Sequence, residues 1–190
     1  MKRLLGGLAL LLAACAGQPP ALPDHCLWLA PKASWCLADA SGLPARTVVQ
    51  QVEAQYGEHS ERFIGQLEFH GDGRLTLAAL SPLGQRLFLL QYDGRRLDYQ
   101  PFAPLAGRFE PAYVLADLEL AFWPVERLRP SLRAAGFELD EDQGVRRLSR
   151  DGALLASVRI TPGAHWPARV VLDNPGRHYR LTLTTLEVSP

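Results

Sequence analysis

Apolar and polar residues alternate at period two along two stretches of the chain, and a helical period occupies the stretch between them. In residues 62–70, Phe63, Leu67 and Phe69 fall on one face, the spacing of a half-buried strand. Gly71-Asp72-Gly73 signals a tight turn into an apolar run over 75–80 that contains Leu75 and Leu77. Ser81-Pro82-Leu83-Gly84 breaks that run and residues 86–92 resume it. Phe88, Leu89 and Leu90 are continuously apolar there, as in a strand covered on both faces. Asp93-Gly94 turns again into residues 96–100, and a β-rich segment over 47–56 precedes the series. Short connections of this kind predict an antiparallel meander, which curls into a barrel or a sandwich.

From Glu110-Pro111 onward the period changes. Val114, Leu115, Leu118, Ala121 and Phe122 recur at helical spacing, and a proline in the first turn lacks only an N–H that would have no partner. Trp123-Pro124 ends this helix and starts a second, which runs to about Ala135 and is closed by Gly136. Pro130 inside the second pattern predicts a kink or two short turns. Asp140-Glu141-Asp142 reads as a solvated turn, without the alternating ligands and glycine of a calcium loop. Strands return over 145–149 and 153–160 around Asp151-Gly152. A last hairpin pairs 168–172 with 178–186 across Asn174-Pro175-Gly176, with Tyr179, Leu181 and Leu183 on one face. The fold class expected is mainly β with a short helical insertion, as one domain over residues 26–190.

The start of the chain carries a different signal. Met1-Lys2-Arg3 is a basic head, and residues 4–14 are apolar and uncharged. Eleven residues rise only about 16 Å as a helix, roughly half a hydrocarbon core. Residues 1–14 therefore read as a secretory signal peptide. Leu12-Ala13-Ala14-Cys15 resembles the bacterial lipobox. That resemblance implies cleavage before Cys15, with diacylglycerol on its thiol and an acyl chain on its new amine. Ala16, in place of an aspartate, resembles an outer-membrane address, with the domain on the periplasmic face. Residues 15–25 would be the lipidated N-terminus and tether, and the lipid on Cys15 the membrane anchor. In an oxidising compartment Cys26 and Cys36, with nine residues between them, favour a disulfide over two thiols. A metal at His25 and these cysteines fits no zinc spacing.

Composition narrows the function. Of 190 residues, 47% are hydrophobic, enough for a core. Twenty basic and twenty acidic residues cancel, which leaves no electrostatic footprint for nucleic acid. The five histidines lie far apart, no Gly-x-Ser-x-Gly elbow is present, and the glycines sit singly at turns. No catalytic constellation or cofactor motif follows, and the chain reads as a non-enzyme.

A family resemblance adds to this. Residues 62–90 with the Pro82-Leu83-Gly84 loop, the step Phe122-Trp123-Pro124-Val125, and Trp166-Pro167 followed by residues 173–186 resemble the LolB family of outer-membrane lipoprotein receptors. The chain is most similar to the related proteobacterial lipoproteins called domain of unknown function 3261, some thought to serve aryl polyene or fatty-acid-like products. The Cys26/Cys36 segment and the ending Leu186-Glu187-Val188 depart from the LolB pattern. The resemblance implies an unclosed antiparallel β-barrel, a LolA/LolB-like half-barrel, with a helical lid. Beneath the lid a hydrophobic cavity would take an acyl or polyene-type chain, lipid or lipoprotein, delivered by a LolA-like periplasmic carrier. The side chains expected to line it are Phe63, Leu67, Phe69, Leu75, Leu77, Phe88, Leu90, Leu118, Phe122, Trp123, Trp166, Tyr179, Leu181 and Leu183. Leu83, between Pro82 and Gly84, would touch the bilayer. The apolar pattern alone fits a plain filled core equally well, and with it a structural or accessory lipoprotein of an envelope complex.

Overall fold

The computed structural model describes residues 22–103 and 110–190. The expected signal peptide and Cys15 lie outside the described residues. A small hairpin, β1 (Cys26–Ala30) and β2 (Ala33–Cys36), comes first. A meander follows: β3 (Arg46–Tyr56), β4 (His59–Phe69), β5 (Leu75–Leu80), β6 (Arg86–Tyr92) and β7 (Leu97–Pro101). Two helices, α1 (Pro111–Phe122) and α2 (Val125–Ala134), separate it from a second meander. That one comprises β8 (Glu138–Asp142), β9 (Val145–Arg150), β10 (Ala153–Thr161), β11 (Arg169–Asn174) and β12 (Tyr179–Ser189).

The two meanders form one ten-stranded antiparallel sheet in the order β7-β6-β5-β4-β3-β12-β11-β10-β9-β8. They meet at the β3–β12 pair, which runs from Tyr56↔Tyr179 to Thr47↔Ser189. The edges β7 and β8 are not hydrogen-bonded to each other, so the barrel is unclosed. Turn chemistry sets these registers. At the β9–β10 corner Asp151 and Gly152 both have positive φ, 50° and 77°, the geometry of a two-residue hairpin turn that matches strand twist.

Two expectations need correction. Residues 140–142 are not a turn but the outer part of edge strand β8, and the turn falls at Gln143-Gly144. Only Leu139 of β8 is buried, while Glu141 pairs with Arg146 of β9 at 2.7 Å. Charge on an exposed edge strand blocks pairing with other chains. Pro130 does not divide α2 into two short turns: one helix spans Val125–Ala134. Pro130 and Glu126 are both exposed, so the carbonyl that loses its donor faces water.

Helix α1 is apolar nearly all round, with residues 115–121 all buried. Such a helix must be covered on both sides. One side faces the concave sheet. On the other, Tyr113 donates its hydroxyl to the Trp28 carbonyl (2.6 Å), and Trp123 Nε1 donates to the Asp39 carbonyl (2.9 Å). Arg146 reaches from β9 to the carbonyls of Leu120 and Trp123, each at 2.8 Å, so a cation meets the negative end of the helix dipole. Cys26 and Cys36 are joined as a disulfide that closes the β1–β2 hairpin at its open end.

A cavity under the lid helix

The concave face has a filled end and a hollow end. At the filled end the segment Leu37–Ala40 crosses over the sheet. Tyr92 donates its hydroxyl to the Leu37 carbonyl (3.0 Å), and Ala40 N–H donates to the Gly73 carbonyl (2.9 Å). Trp123, fully buried, meets Phe69 with ring centroids 5.7 Å apart. Trp166 stacks on Phe122 at 4.6 Å and on Phe69 at 5.6 Å. The Arg46 guanidinium lies 5.4 Å from the Trp166 ring.

Toward the other end lies a cavity of about 530 Å³ between α1 and strands β3, β4, β11 and β12. It falls within the range of roughly 300–1,000 Å³ usual for small-molecule sites. Ala54, Gly65 and Ala121 line it. Small residues there leave the space that aromatic rings occupy at the filled end. Burial falls along the strands: Val48 and Leu67 are fully buried, while Tyr56 and His59 are exposed. The cavity therefore opens where β3 turns into β4 and β11 turns into β12, and its floor lies about 20 Å deeper, six strand residues away at Gln50.

Eight residues named from the sequence line the cavity: Phe63, Leu67, Leu77, Phe88, Leu118, Tyr179, Leu181 and Leu183. Six others do not. Phe69, Leu75, Leu90 and Trp123 belong to the packed core, with relative exposures of 2% or less. Phe122 and Trp166 are half-buried beside them. The reason is what lies opposite each side chain: the 37–40 segment and the Trp123 indole fill the space those residues face.

Leu83 is 89% exposed at the tip of the β5–β6 loop. Ser81 Oγ accepts from the N–H groups of Leu83 and Gln85 at 3.3 and 3.2 Å, and Gly84 has φ +80°. The backbone is satisfied within the loop and the leucine side chain points outward. β5 runs from Leu75, opposite Phe69, to Leu80, opposite Ile64 at the middle of β4, so the loop that follows projects toward the His59 end of the sheet, where the cavity opens. Phe102, exposed just after β7, and Leu154, exposed at the start of β10, stand at that end too. Tyr56 is the exposed aromatic of the mouth itself.

Sequence reading missed the polar part of the site. Asp117, on α1, is buried and lines the cavity. Tyr179 donates its hydroxyl to the Asp117 carboxylate, 2.6 and 2.8 Å from its two oxygens. Asn174 donates to the Tyr179 hydroxyl oxygen at 3.3 Å. Burial pushes the Asp117 pKa up to about 7, against the hydrogen bond from Tyr179 and the field of Arg177. Burial also raises the Tyr179 pKa. At the mouth Arg177 sits 3.2 Å from the centroid of the Tyr113 ring and 3.4 Å from Glu110. One signal could have found Asp117: an acid three residues after Val114, on the apolar stripe of a helix. Elsewhere, the ligand atoms of His25, Cys26 and Cys36 lie within 4.8 Å of one another, but both sulfurs are in the disulfide.

Residues 47–187 match the family described as protein of unknown function (DUF3261), and the chain belongs to that family. No curated protein matches it in sequence. A solved structure of a LolA superfamily protein from Nitrosomonas europaea is similar over 78% of this chain and 86% of its own. The identity is 10% and the TM-score 0.46. A domain from Vibrio parahaemolyticus, described as an outer membrane lipoprotein-sorting protein, is similar over the same shares at 10% identity with a TM-score of 0.41.

Proposed function

We propose that this protein is a lipid-anchored binding protein of the cell envelope, not an enzyme. It holds a hydrophobic acyl or polyene-type chain in the half-barrel cavity and passes it to a membrane. The observation that carries the reading is the pairing of a hollow, apolar-floored cavity with exposed Leu83, Phe102 and Leu154 at the end where it opens. Each buried methylene contributes about 0.8 kcal/mol, so a chain sliding from cavity to bilayer exchanges one apolar environment for another at little net cost. Exposed apolar groups around the mouth would bring it against the bilayer without a water gap. Cys15 supplies the anchor and the outer membrane, periplasmic side, is the destination this reading assigns. A LolA-like carrier is the partner that would load the cavity. Among the described residues no helix is long and apolar enough to cross a membrane.

Native mass spectrometry of protein purified from its own host tests the proposal. The expected result is a bound mass, released on denaturation, that corresponds to an acyl or polyene-type chain. No bound mass, together with failure to take up N-phenylnaphthylamine, would make the cavity a packing defect and leave a structural role.

A further inference from the structure

The cavity is not uniformly apolar, and its charged groups are segregated from its deep end. Asp117, about two turns along α1 from Glu110, meets the Tyr179 hydroxyl, while Glu110 and Arg177 stand together at the mouth and Glu61, opposite Ala54, lies two strand residues in from Tyr56. Beyond them the deep end is lined by Leu67, Leu77, Val170 and Leu183, with the Gln50 amide donating away to Thr185 Oγ1 at 3.1 Å. An amphiphile that buries its tail in that deep end brings the first polar atoms of its head level with Asp117. The Tyr179 hydroxyl is already committed, accepting from Asn174 and donating to Asp117. Asp117 retains capacity: a carboxylate offers about four acceptor sites, and a carboxylic acid adds a donor.

Resting on the proposed function, we propose that the Asp117–Tyr179 pair is a head-group subsite that takes the un-ionised ester or amide of an acyl chain and turns away free carboxylates. An ester carbonyl can accept from the Asp117 acid, and an amide N–H or a free hydroxyl of a glycerol ester can donate to the carboxylate. A free carboxylate meets a wall of its own sign. Among the described residues that line the cavity, Glu61, Glu110 and Asp117 stand against the single cation Arg177. Arg177 is already engaged with Glu110 and the Tyr113 ring. Two carboxyl groups brought together in a buried site hold at most one charge comfortably.

The groups facing Asp117 set its pH response. They are Tyr179 of β12, Asn174 behind it, and Arg177 of the β11–β12 turn. Tyr56 of β3 feels its charge, and Glu61 of β4 acts on Tyr56 in turn. Tyr113 lies one turn back on α1, and Glu110, the residue that caps it, two turns back. With Asp117 near pH 7 at half-ionisation, discrimination against the free acid grows as pH rises through neutrality.

The test displaces bound N-phenylnaphthylamine with palmitic acid, monopalmitoylglycerol and palmitamide at mildly acidic and mildly alkaline pH. At alkaline pH the ester and amide should bind at least about ten-fold tighter than the acid, the scale of one hydrogen bond to a charged group. The gap should narrow at acidic pH. Asp117→Asn, nearly isosteric, should abolish the pH dependence and most of the gap. Tyr179→Phe, which removes only the hydroxyl, should shift the pH at which the gap opens. Equal or tighter binding of palmitic acid by the wild type at alkaline pH would overturn the head-group inference alone. Failure of every amphiphile and of the probe would overturn the proposed function with it.

Discussion

The two ends of the concave face are built from the same strands and differ in what those strands face. At one end Phe69, Leu75 and Leu90 meet Trp123 and the 37–40 segment and become solid core. At the other, Phe63, Leu181 and Leu183 look across a hollow bounded by Ala54, Gly65 and Ala121. A Cβ placed on Gly65 would press on Val52 at 3.3 Å, so the packing of its neighbours keeps that position bare. Apolar character decides which face turns inward. Side-chain volume on the opposing element decides whether that face is core or binding surface.

The sharpest way to break this comparison is to delete a ring at the filled end. Trp123→Ala should cost about 3–5 kcal/mol, whereas Leu181→Ala at the hollow should cost well under half as much, because no packed neighbours are lost on its open side. Urea denaturation of both variants measures the difference, and equal costs would mean that the hollow is filled in solution.

Charge offers a second contrast. Asp117 is protonated in the fold up to about pH 7 but ionises near its usual 3.8 when unfolded. Between those values the native state holds the extra proton, so stability from this site is full below the unfolded pKa and is lost as pH rises through the folded one. Asp117→Asn should leave stability unchanged in acid. Above pH 7 it should raise it by up to roughly 4 kcal/mol, an upper bound from the two pKa values. Melting curves across that range check the sign. Burial raises the Glu119 pKa as well, so a wild-type profile alone would mix the two carboxyls.

Filling the hollow is the third test. Ala54→Phe should move the melting temperature little while lowering uptake of N-phenylnaphthylamine about ten-fold or more, the equivalent of a few buried methylenes. A large destabilisation would show that the site cannot accept volume. The smallest expected effect on stability is at the exposed loop. Leu83→Glu should change unfolding free energy by less than about 0.5 kcal/mol. It should still weaken liposome flotation of a non-lipidated protein, and unchanged flotation would remove Leu83 from the membrane-contact surface.

How far the sequence revealed this architecture follows from the same contrast. Period-two runs and glycine-bearing turns placed the long strands and the helical insertion, because local twist and half-burial leave a local imprint. Strand β8 escaped because its outward residues are charged and its burial rests on Leu139 alone. The filled end escaped for a different reason. Phe69 and Phe63 share one periodic face, and nothing local to either states that residues from 37–40 will cover the first and leave the second open. Asp117 was hidden by its neighbours, since Ala116 and Leu118 make the helix read as uniformly apolar.

The position of β12 bears on how the chain reaches this form. The last strand lies at the centre of the sheet, between β3 and β11, so the two half-sheets can join only when residues 179–189 are available to the early strand 46–56. Contacts of such long sequence separation require closure of nearly the whole chain and slow the search for the native state. Until residues 179–189 are available, the first meander exposes β3 as an unpaired edge, open to capture by a chaperone or by another chain. A chain that appears from its N-terminus onward thus cannot complete its fold early, and loss of residues 179–189 would part the sheet at its middle, not fray its edge.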